Sequence, residues 1–220
     1  MRLDAARRAL VAAGRRLDAR GLIGGTEGNL SIRLADGSVL VTPSGRAKGT
    51  LAPRDLVRVT ASGLTQWRGH HGGRAPDHRV VPSAPRASSE FSMHALAYHA
   101  HPDVGAIVHA HPPVATGAAS WGPALPWHEL SEVRAVIGGV TVVPALEPGT
   151  LAVAQAVADA LMTARAVLLT RHGATTVGAT IEEAVARMES LEQAARMLVT
   201  EALGSLVARG TARSRRASPL

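Results

Sequence analysis

The chain is 220 residues long, 46% hydrophobic and 19% charged, which is enough for one sizeable core and too apolar for a disordered chain. It contains no cysteine, so disulfides, thiolate metal sites, iron–sulfur clusters and a cysteine nucleophile are excluded. A formal charge of +7 would suit nucleic acid, but aromatics make up only 2%, leaving few platforms for base stacking, and the arginines are mostly scattered.

Leu3, Ala6, Leu10, Ala13 and Leu17 recur at helical spacing and predict an amphipathic helix over residues 3–20, ended at Gly21. The stretch from Gly24 to Asn29 reads as a tight loop. Alternation in Leu30-Ser31-Ile32-Arg33-Leu34, the Asp36-Gly37 turn and Val39-Leu40-Val41-Thr42 predict a hairpin, with a further short strand at 56–60. Residues 68–86, rich in Gly, His, Arg and Pro, read as a long loop. A helix is predicted from Ser88 to about Ala100, strands at 104–110, 140–143 and 166–170, and helices at 149–164 and 180–208. Interleaved strands and helices make this an α/β chain, and the early hairpin argues against an all-parallel sheet. One domain is expected over residues 1–208, with a flexible basic tail at 209–220. No apolar run reaches the roughly 18 residues of a membrane helix. The start, Met1-Arg2-Leu3-Asp4, lacks the apolar stretch of a secretory signal, so a cytoplasmic location is expected.

The strongest local signal is His109-Ala110-His111, directly after the apolar run Val104–Val108. In a strand, residues i and i+2 project from one face, so two imidazoles would converge at its end. They read as metal ligands or as ordinary surface or core histidines. His172, in Leu168-Leu169-Thr170-Arg171-His172-Gly173, is a third candidate, or a residue that caps its strand. Three histidines with an open position are the pattern of catalytic zinc. Arg171-His172-Gly173 also resembles the histidine phosphatase signature, but that motif follows the first strand of its fold, and here only residues 174–220 remain after it.

Glu90 falls in the first turn of the helix opening at Ser88-Ser89, where orphan backbone N–H groups stabilise a carboxylate. It reads as a helix-start acid or as a site residue. Ser88 and Ser89 read as caps or as a seat for phosphate. Thr26, Asn29, Thr42, Ser44 and Gly45 add donors from loops, without a nucleotide P-loop or a dinucleotide fingerprint. Lys48, the only lysine, lies in a polar loop with nothing evident to depress its pKa, which disfavours imine chemistry.

Five segments in this order carry a resemblance: Gly25-Thr26-Glu27-Gly28-Asn29-Leu30-Ser31, Val41-Thr42-Pro43-Ser44-Gly45, Ala87-Ser88-Ser89-Glu90, Val108-His109-Ala110-His111-Pro112 and Leu169-Thr170-Arg171-His172-Gly173. Together they resemble the class II aldolase and adducin-head family. The resemblance implies a single domain with a central mixed, largely antiparallel sheet flanked by helices, assembled as a homotetramer with active sites at subunit contacts. It implies that His109, His111 and His172 bind Zn2+ or another divalent metal such as Mn2+ or Co2+. Glu90 would join the metal at rest and act as the catalytic base, and Thr26, Gly28, Asn29, Thr42, Ser44, Gly45, Ser88 and Ser89 would hold a substrate phosphate.

The activity so implied is cleavage of a phosphorylated ketose, such as L-fuculose 1-phosphate, to dihydroxyacetone phosphate and an aldehyde. A metal as Lewis acid and a carboxylate as proton carrier suit the enediolate of such a reaction. The chain departs from the aldolases in having one tyrosine, Tyr98, and none in its tail. Glu129 in Pro126-Trp127-His128-Glu129 instead resembles the acid/base of methylthioribulose-1-phosphate dehydratases. Dehydration, decarboxylation and epimerisation are therefore alternatives, and a non-enzymatic adducin-head-like interaction domain is a second.

Overall fold

The amphipathic pattern at the start of the chain forms the first helix, α1 (Leu3–Ala19), with Ala6, Leu10, Val11, Ala13 and Leu17 buried. The computed structural model describes residues 2–67, 87–88, 90–121 and 125–216, the side chains of 65–67 and 210–216 excepted. The predicted hairpin forms as β1 (Asn29–Arg33) and β2 (Val39–Val41), paired antiparallel with Ile32 opposite Leu40. β3 (Val57–Val59) follows, then a short helix, α2 (Ala61–Trp67). The predicted loop at 68–86 and Ser89 lie outside the described residues. Beyond them run α3 (Phe91–Ala100), β4 (Ala106–Ala110), α4 (Pro113–Ala119), β5 (Val140–Val143), α5 (Leu151–Ala160), β6 (Ala166–Leu169), β7 (Gly173–Gly178) and α6 (Ile181–Arg216).

The strands make one seven-stranded sheet in the order β3-β2-β1-β4-β7-β6-β5. Every neighbouring pair is antiparallel except β5 with β6, which α5 joins as a parallel unit. The expected mixed, largely antiparallel sheet is thus the one observed. Strand alternation splits the core into two layers. Leu30, Ile32, Val108 and Leu168 pack with α1, α4 and α6, through residues such as Leu10, Ala115 and Leu191. Ile107, Val167 and Val177 pack on the other face with Phe91, Met93 and Tyr98 of α3 and Val153 and Val157 of α5.

Four features differ from expectation. β7 was not predicted: Thr175-Thr176-Val177 favour a strand but are short and bounded by glycines, and the strand is paired on both edges, with β4 and β6. α4 was also unpredicted; it begins at Pro113, and the buried carboxylate of Glu192 accepts from the backbone N–H groups of Val114 (3.1 Å) and Ala115 (2.9 Å) at its first turn. The last helix runs to Arg216, past the boundary expected at 208. Finally, α3 starts at Phe91, so Glu90 is the residue before the helix and makes no capping hydrogen bond. Its carboxylate is therefore free of the helix terminus and serves elsewhere.

Candidate metal centre

Sheet register places the site. Asn29 of β1 lies opposite His109 of β4, and His109 lies opposite Thr175 of β7. Cross-strand neighbours project from the same face, so this row carries Asn29, His109 and Thr175 side by side. His111 follows two residues on, past the end of β4. His172 sits in the tight turn between β6 and β7, after Arg171, whose φ of 59° is left-handed. A non-glycine residue in that region costs about 1–2 kcal/mol, and such strain gathers at functional sites.

The three predicted histidines converge. Their ring centroids are 5.2 Å (His109–His111), 4.9 Å (His109–His172) and 5.4 Å (His111–His172) apart, and one nitrogen of each lies within 4.8 Å of the others. Two glycines make room. A Cβ on Gly173 would stand 2.6 Å from the Ala110 carbonyl oxygen and 2.7 Å from His111 Cδ2. One on Gly28, already at φ +68°, would stand 2.7 Å from the His109 carbonyl oxygen.

The donor set fits a divalent cation. The Thr175 hydroxyl lies 3.4 Å from Met93 Sδ and 3.1 Å from His109 Nδ1; with its proton turned to the sulfur it accepts from His109 Nδ1–H. That tautomer leaves the lone pair of His109 Nε2 facing the cluster, where His111 Nε2 lies 3.3 Å away. Two imidazole nitrogens at that separation, with their far nitrogens held from behind, form the arrangement that outer partners give to metal-binding histidines. His111 Nδ1 is held from behind by Glu27 Oε2 at 3.4 Å. Burial pushes His109 down to about 3, with Glu90 opposing and the neighbouring histidines adding to the fall, and burial also lowers His111. His109 and His111 are therefore neutral at pH 7, the form that binds metal.

Glu90 closes the cluster. Its Oε1 is 3.0 Å from His172 Nε2, its Oε2 is 3.5 Å from His109 Nε2, and Asn29 Nδ2 donates to Oε2 at 2.9 Å. Burial alone would raise this carboxyl, but the His172 ring 3.0 Å away, the nearby His109 and the Asn29 amide outweigh it and hold the group at about 2. It is ionised at neutral pH.

The remaining predicted site residues divide. Thr26, Ser44 and Gly45 are exposed in their loops, with Gly45 at φ +67°. A bridge between Pro43 and Ala87 brings the 42–45 turn beside Ser88. The Thr42 side chain is buried and accepts from Leu30 N (3.1 Å), and Ser88 Oγ accepts from Glu90 N (3.3 Å). Glu129 is exposed on a 3-10 turn (Trp127–Glu129), and among the described residues its carboxylate makes no hydrogen bond or ion pair. Tyr98 is buried, and burial pushes its phenol up, so it is no acid at this site.

Lys48 overturns its sequence reading. It is 2% exposed and gives its ammonium to the Thr26 carbonyl oxygen at 2.5 Å. Burial lowers its pKa, against the pull of Glu90. Sequence reasoning also missed Thr175, Glu27 and His94. The signal for His94 was the spacing Glu90, His94, Tyr98, one helical face at intervals of four.

The buried histidines set an acid limit. Burial pushes His94 down to about 4 from 6.5, with Glu90 opposing, and His109 to about 3. The unfolded chain then binds protons that the fold refuses, so stability is full above pH 6.5 and falls as pH drops towards 4. Metal-free protein unfolded in urea should be less stable at pH 5 than at pH 7.5 by roughly 2 kcal/mol per buried histidine. A flat profile between those values would show that one or both rings are charged or solvated in the fold.

The pattern of the class II aldolase and adducin N-terminal domain matches residues 8–199. The chain is similar to 3-oxo-tetronate 4-phosphate decarboxylase of Escherichia coli, 32% identical over 190 residues, or 81% of this chain and 79% of that protein. It is 39% identical over 102 residues to methylthioribulose-1-phosphate dehydratase of Gluconacetobacter diazotrophicus, covering 46% of this chain and 42% of that one. The crystal structure of L-fuculose-1-phosphate aldolase from Thermus thermophilus superposes with a TM-score of 0.71 at 30% identity over 98% of each chain. The chain belongs to the class II aldolase and adducin N-terminal domain family.

Proposed function

We propose that this chain is a metal-dependent lyase that breaks a bond next to the carbonyl of a small phosphorylated sugar derivative, passing through an enediolate. The observation that carries the reading is the convergence of His109, His111 and His172, with Glu90 3.0 Å from His172 Nε2. A divalent ion such as Zn2+, held by these three histidines with Glu90 beside them, would polarise the carbonyl oxygen as a Lewis acid.

The chain's own groups supply the rest. Glu90, ionised and held by Asn29, has no proton of its own to give; after loss of carbon dioxide it would relay one from water to the enediolate carbon, and in aldol cleavage it would first take one from the substrate hydroxyl. The segments around Gly28, Thr42, Ser44, Gly45 and Ser88 offer hydroxyl and backbone donors for phosphate, and Ser89 and Thr26 belong to the same proposal. The ammonium of Lys48, beside Thr26, adds positive charge that favours an anionic substrate.

Decarboxylation of a 3-oxo sugar-acid phosphate is the preferred member of the class, supported by the decarboxylase relative. It needs no tyrosine to deliver a proton to a departing aldehyde, and the single tyrosine here is buried. Retro-aldol cleavage of L-fuculose 1-phosphate shares the enediolate. Dehydration is the second reading, favoured by Glu129, which is exposed and free to complete the site of a neighbouring subunit in a homotetramer.

One screen tests these together. Metal-replete protein is incubated with 3-oxo-tetronate 4-phosphate, L-fuculose 1-phosphate and methylthioribulose 1-phosphate, and the products are identified. Dihydroxyacetone phosphate with carbon dioxide is the expected result, lost on chelation and restored by zinc. Dihydroxyacetone phosphate with an aldehyde selects aldol cleavage. Loss of water, abolished by Glu129→Gln at normal metal content, selects dehydration. No turnover of any ketose or oxo-acid phosphate overturns the reading.

A further inference from the structure

Behind Glu90 a buried chain of side chains leads away from the histidine cluster. Asn29 Nδ2 donates to Glu90 Oε2 at 2.9 Å, and Asn29 Oδ1 lies 2.5 Å from His94 Nε2. On the far side of the ring, His94 Nδ1 lies 2.6 Å from Ser31 Oγ, which lies 2.8 Å from the Tyr98 hydroxyl. His94 and Ser31 are fully buried, Asn29 is 1% exposed and Tyr98 4%. Arg33 closes the outer end, its guanidinium 4.8 Å from the Tyr98 ring centroid and donating to the Tyr98 and His101 carbonyl oxygens.

Hydrogen-bond capacity gives this chain one direction. A carboxylate only accepts, so Asn29 must turn its NH2 to Glu90 and its oxygen to His94. That oxygen only accepts, so the proton of the His94 ring is on Nε2. Nδ1 of the neutral ring then accepts from Ser31, and Ser31 accepts from Tyr98. A ring flip or the other tautomer would set two acceptors or two donors face to face in a buried place, at a cost of about 1–3 kcal/mol. The ring therefore fixes which way the amide of Asn29 points, and the amide fixes one oxygen of Glu90 while the other faces His172.

We propose that His94 is a positioning residue: acting through the amide of Asn29, it holds the Glu90 carboxylate at the edge of the histidine cluster and so sets the affinity of the site for its divalent cation. The inference rests on the reading of the cluster as a metal site. It extends that reading to a residue whose hydrogen bonds go to Ser31 and Asn29 and not to the three histidines.

The test is Zn2+ affinity of metal-free protein, measured by competition with a chromophoric chelator, in wild type, His94→Leu and His94→Gln. Loss of an outer partner of this kind weakens metal binding about 10–100-fold. His94→Leu should fall in that range. His94→Gln, whose amide N–H can replace Nε2–H, should stay within about threefold of wild type, a rescue that a purely structural ring would not show. In a Glu90→Ala background His94→Leu should have no further effect, since the ring acts only through that carboxylate.

Wild-type affinity in folded His94→Leu, failure of His94→Gln to rescue, or full additivity with Glu90→Ala would each overturn the proposal. Should His94→Leu fail to fold, nitrogen-15 NMR of wild-type histidines decides: the Nε2–H tautomer of His94 is required, and the Nδ1–H tautomer overturns it. If wild type itself binds no Zn2+, the metal reading fails, whereas the tautomer still tests the relay.

Discussion

Replacing Glu90 by glutamine is expected to lower kcat about 10^2- to 10^4-fold, the range lost when a positioned proton carrier is removed. The substitution keeps shape and keeps an acceptor for Asn29 Nδ2, so the buried pair at 2.9 Å survives in neutral form. What disappears is the negative charge beside His172 and His109. The melting temperature should shift by no more than a few degrees, because a buried charge offsets much of its own attraction by desolvation. Activity per folded molecule, read against a thermal melt of the same sample, separates the outcomes. A large stability loss with retained specific activity would mean that Glu90 is structural and that the proton is carried by another group.

The part of this site legible in the sequence is the part written at short range. His109 and His111 share a strand face, and the Asp36-Gly37 turn announces the hairpin that delivers Asn29 and Ser31. The long period of α6 was equally plain. What could not be read depends on register between distant segments. Thr175 meets His109 across 66 residues, and Ser31 meets His94 across 63. Thr175-Thr176-Val177 is too short a β-branched run to mark a strand by itself, and nothing in it says that β4 and β6 pair on its two edges. Lys48 was placed in a polar loop by its neighbours Arg46 and Gly49, whereas the fold lays it under the Thr26 loop, with its backbone against Gly14 of α1. From its place near a helix start Glu90 reads equally as a capping acid or a site residue, and only the resemblance assigns it to the metal. The helix starts at Phe91 rather than at Ser88, so Glu90 stands outside it and its carboxylate reaches the histidines.

Removing His172 should have opposite effects on stability with and without metal. In the metal-free protein the pocket is a liability: among the described residues His172 Nδ1 is buried without a hydrogen-bond partner, and Arg171 beside it is held at φ 59°. Folds retain such groups where a ligand bound at the opposite nitrogen, here Nε2 beside Glu90, offsets the cost. With the orphaned nitrogen gone and one contact to Glu90 lost in exchange, His172→Ala should leave the chelated protein as stable as wild type or slightly more so. With Zn2+ at a thousand times the dissociation constant, wild type gains about 4 kcal/mol by mass action. For a domain of this size that corresponds to roughly 10 °C in melting temperature. His172→Ala, left with two histidines and a carboxylate, should gain less than about a third as much at the same metal concentration. Thermal melts of both proteins, with chelator and with Zn2+, read the two signs in one experiment. An equal gain in the two would mean that the ion sits elsewhere, and with it would go the polarised carbonyl on which bond cleavage depends.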